Sequence, residues 1–193
     1  MRPKKCGPAN LLRVALALVP SGVFVFGSVL AMWVYGIRIN MTRSLPLGLY
    51  LITQNPQANL VVFCPPPGAM DESAKRGYRG HSYGLGCPDG APPLMKPVVA
   101  RPGQTLVVSE EGIAVERRLL PNTAPLQFDA KHRPLKAWAA GTYTVEPGTL
   151  WVASSFHPGS YDSRYLGPIR DEQILYHLRP LWLFEWGYRG HAF

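Results

Sequence analysis

Two residues in this sequence have the types and surroundings for nucleophilic chemistry. Ser44 stands two residues before Pro46, at a bend from which a hydroxyl can be presented. Lys96 lies in the run Leu94-Met95-Lys96-Pro97-Val98-Val99, an apolar strand end that would strip water from an amine. A serine hydroxyl is a poor nucleophile until a base takes its proton. Histidine is the usual base, and lysine serves in a Ser–Lys variant of the same logic. The lysine must then be neutral, and burial can lower its pKa from about 10.4 by several units. Acyl transfer also needs donors for the developing oxyanion. The Ser44 backbone N–H and the Thr42 hydroxyl, two residues earlier, are the candidates.

Taken singly, each segment has an ordinary structural reading. A Ser-x-Pro is most often a turn, and a lysine beside valines usually snorkels from a strand edge. Asp162-Ser163-Arg164 is commonly a turn with a local ion pair. Three segments in one order, at 40–50, 95–103 and 159–168, are more specific than any of them alone. His81, His132, His157, His177 and His191 show no metal-ligand spacing. No Gly-x-Ser-x-Gly elbow accompanies them, which argues against a His-dependent hydrolase. No metal and no cofactor is expected.

The elements that position these residues begin with an apolar run. Residues 14–37 (VALALVPSGVFVFGSVLAMWVYGI) carry no charge over 24 positions, enough for a bilayer-spanning helix. Arg2, Lys4, Lys5 and Arg13 precede it and only Arg38 flanks its far end, so residues 1–13 read as a cytoplasmic basic tail and the rest as exported. Trp33 and Tyr35 fall at the far interface. A cleaved signal peptide is the competing reading, but the apolar stretch exceeds the usual length and runs past the small-residue site at Val29-Leu30-Ala31. The formal net charge of +8 is half accounted for by that tail, so a membrane partner is expected and a nucleic acid is not.

Residues 38–193 read as one mainly β domain. Strands are expected at 49–52 and 60–63, then as strand–turn–strand at 97–108, one strand at 112–120, and strand–turn–strand again at 142–153. Residues 64–95 read as a loop-rich insertion with a short helix near Asp71 to Arg76. An exported location would let Cys64 and Cys87 pair across that insertion, the alternative being two separate thiols, while Cys6 stays on the reducing side.

The three segments together resemble the signal peptidase I family, and most closely the TraF-type maturation peptidases of conjugative transfer. They read Ser44-Leu45-Pro46 with its extension to Tyr50, Lys96-Pro97-Val98-Val99-Ala100-Arg101-Pro102-Gly103, and Ser160-Tyr161-Asp162-Ser163-Arg164-Tyr165-Leu166-Gly167. Two family features are missing: Gly103-Gln104 replaces a Gly-Asp turn, and Ser154-Ser155-Phe156-His157 occupies the approach where signal peptidases carry Gly-Asp-Asn. The resemblance implies an antiparallel β-sheet peptidase domain of signal peptidase type behind one membrane helix. It implies Ser44 as nucleophile, Lys96 as base and Asp162 as a third catalytic residue, with Thr42 and the Ser44 amide for the oxyanion. Ser160 is implied as a support for Lys96, and Arg164 as a support for Asp162. The implied function is processing of a membrane-inserted pilin precursor of a type IV secretion system through an acyl-enzyme, with cyclisation as one resolution. The implied place is the bacterial inner membrane with a periplasmic domain. A general signal peptidase acting on signal-peptide-bearing proteins is the alternative enzyme. An anchored, non-enzymatic assembly protein is the alternative from another class.

Overall fold

Alternation along short β-branched strands builds the part of the molecule that carries all three segments. The computed structural model describes residue 23, residues 26–80 and residues 86–184. The chain divides into Met1–Arg38 and Ile39–Phe193. In the first unit residues 26–34 are helical. No helix among the described residues is long and apolar enough to cross a membrane. Much of the expected anchor at 14–37 lies outside the described residues.

The strands are β1 (Ile37–Asn40), β2 (Gly48–Thr53), β3 (Leu60–Phe63), β4 (Leu94–Ala100), β5 (Thr105–Ser109) and β6 (Gly112–Val115). They continue as β7 (Arg118–Leu119), β8 (Gly141–Thr144), β9 (Thr149–Val152), β10 (Ile169–Arg170) and β11 (Ile174–Leu183). Two helices interrupt them, α1 (Pro67–Lys75) and α2 (Ser163–Leu166). A seven-stranded sheet runs β1-β2-β11-β3-β4-β9-β10, and a four-stranded sheet runs β7-β6-β5-β8. The pairings from β2 to β10 are antiparallel throughout.

Strand β3 shows why the large sheet is covered on both faces. All four of its residues are buried. The two-residue period sends Val61 and Phe63 into a cluster with Leu94, Leu150, Val152, Leu166 and Ile169. It sends Leu60 and Val62 into another with Leu45, Tyr50 and Leu178. A third cluster, of Ala100, Leu106, Val108, Ile113, Val145 and Trp151, joins the sheets.

Three details differ from the sequence expectation. The stretch 112–120 is a hairpin rather than one strand. Glu116 and Arg117 both have positive φ (49° and 69°), a turn usually marked by Asn-Gly, so Glu-Arg gave no signal. Strand β11 has no counterpart among the expected strands, and the Pro180 within it reads against a central strand. The structure accommodates it: β3 pairs only with Ile174–Leu178, so at Pro180 that side of β11 is already an edge. The 64–95 excursion has few apolar residues and is held by other means. Cys64 and Cys87 are disulfide-bonded. Buried Arg79 donates to Ser73 Oγ, the Met70 carbonyl and Asp89. The helix there is longer than expected, starting at Pro67, where a proline's fixed φ and missing N–H suit the first turn.

Candidate active site

Register decides where Lys96 points. It pairs with Val61, and directly opposed residues share a face. Lys96 therefore projects to the side of Val61, Phe63 and Val152 and is only 4% exposed. Burial lowers its pKa to about 8. The nearby Asp162 carboxylate pulls the value up and the Arg164 guanidinium pushes it down, both less strongly than burial. The amine Nζ donates to Ser160 Oγ at 2.9 Å, and Ser160 is itself buried.

Ser44 sits half-buried on the turn between β1 and β2. Asn40, 5% exposed, clamps that turn. Its Nδ2 donates to the carbonyls of Thr42 (2.9 Å), Leu45 (3.1 Å) and Pro46 (3.1 Å). Its Oδ1 accepts from the Thr42 N–H (3.1 Å) and the Thr42 hydroxyl (2.8 Å). Tyr50 OH adds a bond to the Pro46 carbonyl at 2.6 Å. Thr42 Oγ1 is 3.2 Å from Ser44 Oγ. A hydroxyl has one proton, and that of Thr42 goes to Asn40, so Ser44 is the donor in this contact. Among the described residues the Ser44 N–H has no hydrogen-bond acceptor, as suits a donor open to a ligand.

The third segment is a buried polar knot. Asp162 and Arg164 are 0% and 1% exposed. Asp162 caps α2 by accepting from the Arg164 N–H. Its Oδ1 accepts from Arg164 Nε at 2.8 Å, and its Oδ2 from Arg164 Nη2 at 3.0 Å and the Ser154 N–H at 3.0 Å. Arg164 uses its remaining donors on the carbonyls of Asn122, Pro158 and Ser154. Ser163 Oγ accepts from the Val152 N–H, fixing α2 to β9. Asp162 bonds neither Lys96 nor Ser44.

The structure thus gathers Lys96 with Ser160, Asp162 with Arg164, and Ser44 with Thr42. It shows no direct hydrogen bond between Ser44 Oγ and Lys96 Nζ. The two ends meet through the third segment. Lys96 bonds Ser160, while Ser154, bonded to Asp162, also donates to the Ser44 carbonyl at 2.5 Å. Asn40 and Ser154 were not singled out from sequence. Asn40 stood at the head of the first segment with no role assigned, and Ser154 was noted only as a departure. A cleft of about 450 Å³ between Thr53, Arg101, Asp171 and His177 includes neither Ser44 nor Lys96. No cluster of His, Cys, Asp and Glu suited to a metal ion occurs among the described residues.

Comparison with known proteins identifies the family. The family model "Signal peptidase, peptidase S26" matches residues 9–182. The plasmid transfer protein TraF of Escherichia coli is 34% identical over 174 residues, covering 89% of this chain and 96% of that protein. The conjugal transfer protein TraF of Agrobacterium tumefaciens (strain 15955) is 37% identical over 178 residues, covering 90% and 97%. A crystal structure of a signal peptidase I from Enterococcus faecalis V583 aligns with a TM-score of 0.35 at 16% identity, over 66% of this chain and 99% of that one. The chain belongs to the signal peptidase family, peptidase S26.

Proposed function

We propose that this chain is a membrane-anchored serine endopeptidase that processes a pilin precursor of a conjugative transfer system, with Ser44 as nucleophile and Lys96 as base. The observation that carries the reading is Lys96: a lysine buried to 4% exposure, with its pKa lowered to about 8 and its amine held by Ser160. At neutral pH a useful fraction of such an amine is uncharged and able to take a proton. Family membership supports serine peptidase chemistry, and the relatives' names support a role in plasmid transfer.

In the proposed reaction the Ser44 hydroxyl leaves Thr42 and turns to Lys96. Ser44 Oγ bonds the scissile carbonyl carbon while its proton passes to Lys96 Nζ. The carbonyl oxygen becomes an oxyanion, received by the Ser44 N–H. Thr42 joins as a second donor once its proton turns from Asn40. The C–N bond then breaks, and Lys96 returns the proton to the leaving amine. An acyl ester on Ser44 remains. Water resolves it to an acid; an incoming amine, such as the substrate's own amino terminus, resolves it to a new peptide bond. In both cases Lys96 takes the attacker's proton and passes it to Ser44 Oγ as the ester C–O bond breaks. Asp162 and Arg164 act in this scheme by shaping the site rather than by touching the reacting atoms. In this reading the domain works in the periplasm behind an inner-membrane anchor, facing a membrane-inserted substrate.

The test uses the full chain in detergent with the pilin precursor of its own transfer system. Wild type is expected to give product, and Ser44→Ala and Lys96→Ala none. Cleavage by either variant at the wild-type rate would overturn the dyad. Cleavage of ordinary export precursors in preference to the pilin would overturn the substrate.

A further inference from the structure

We propose that Ser154 is a positioning residue for the nucleophile, a strut that holds the Ser44 backbone in place relative to Lys96. The proposal rests on the Ser–Lys reading above.

Ser154 is 0% exposed, and each of its polar groups is engaged. Its hydroxyl proton goes to the Ser44 carbonyl, which as a carbonyl can only accept. The same oxygen accepts from the Phe156 N–H at 3.1 Å. Its backbone N–H donates to Asp162 Oδ2 at 3.0 Å. Its carbonyl accepts from Arg164 Nη2 at 2.8 Å. The preceding residue, Ala153, donates its N–H to the Pro97 carbonyl at 3.1 Å, one residue beyond Lys96.

Ser154 therefore meets three separate pieces of the site. It joins the nucleophile turn through its side chain, the strand of Lys96 through its neighbour, and the buried ion pair through its own backbone. Asn40 does something different: its bonds to Thr42, Leu45 and Pro46 stay within the turn and set its shape. They do not locate the turn against Lys96. Ser154 does, across 110 residues of sequence. It also gives the Asp162–Arg164 pair a route to Ser44 without any contact with the reacting atoms.

A misplacement of about 1 Å costs about 100-fold in rate. Ser154→Ala removes the hydroxyl and leaves the bond to Asp162 in place. It is expected to lower kcat on the pilin precursor by about 10- to 100-fold, with KM within about twofold. The acid limb of the pH profile should stay where wild type has it, because Lys96 and Ser160 are untouched. Ser154→Thr keeps the hydroxyl and should recover most of the rate. Thermal unfolding of each variant is followed alongside. Retention of wild-type kcat by Ser154→Ala would overturn the proposal. So would a shifted acid limb, or a rate loss matched by a fall in Tm that Ser154→Thr does not reverse. Ser44→Ala and Lys96→Ala run in parallel separate the two readings. If they remain active, the dyad fails. If they are inactive while Ser154→Ala is normal, only the strut fails.

Discussion

Lys96→Met should stabilise this protein at pH 6.5 by an amount that shrinks as the pH rises. The lysine's folded pKa of about 8 lies below its unfolded value of 10.5. Between those values the unfolded chain binds more protons, so stability rises with pH there. Below pH 8 the folded state therefore carries the full penalty of a buried ammonium. At about 1.4 kcal/mol per pKa unit, that penalty is about 3 kcal/mol at pH 6.5 and about 1 kcal/mol at pH 9.5. Methionine fills a similar volume without charge, but it leaves Ser160 Oγ without its donor, a loss of about 1 kcal/mol. Net stabilisation of about 2 kcal/mol is expected at pH 6.5, falling to near zero at pH 9.5. Urea unfolding of the full chain in detergent, wild type against variant at both pH values, measures the difference. Groups that titrate alike in both proteins cancel. A difference in stability that does not change with pH would refute the buried, deprotonating lysine, and with it the base.

On the proposed reading the same amine sets the rate. Wild-type kcat/KM should climb with pH through about 8 as Lys96 loses its proton, then level off. Asp162 favours the charged lysine, so Asp162→Asn should move that acid limb to lower pH, read from a pH–rate profile of the residual activity. An upward shift would contradict the electrostatics. The Cys64–Cys87 bridge closes a loop of 23 residues' separation and contributes about 3 kcal/mol in the chain-entropy model. Replacing both cysteines by serine should lower the urea midpoint accordingly, and an unchanged midpoint would mean that Arg79 and α1 hold the insertion unaided.

The burial of Lys96 was more legible in the sequence than much of the scaffold around it. Lys96 was recognisable because its neighbours are apolar, and the same pattern that marks a strand also removes water from the amine. Strands β2, β3, β4, β5, β8 and β9 were visible by composition and Pro-Gly turns. Strand β11 was not, since its place in the sheet depends on how far β3 extends, a fact that no local pattern encodes. The β6–β7 turn was hidden for a related reason: the left-handed conformations of Glu116 and Arg117 are imposed by the hairpin, not preferred by those residues. Asn40 illustrates a third limit. One buried amide making five bonds is a tertiary fact, and asparagine before a turn is unremarkable in a sequence.

Asp162 shows how much of a motif's geometry, as opposed to its task, a sequence carries. The ordinary reading of Asp-Ser-Arg, a turn with a local ion pair, describes the geometry, except that the pair is buried. A buried pair stripped of one member leaves an uncompensated charge, at a cost of about 3–5 kcal/mol. Loss of activity on removing Asp162 would therefore follow from collapse of the third segment as readily as from a chemical step. The arrangement favours the first: both carboxylate oxygens are occupied by Arg164 and Ser154, and neither by Lys96. On the proposed reading, this knot acts on the reacting atoms mechanically through Ser154 and electrostatically through the pKa of Lys96. Charge neutralisation at 162 and hydroxyl removal at 154 thus perturb different observables, the pH limb in one case and kcat at fixed pH in the other.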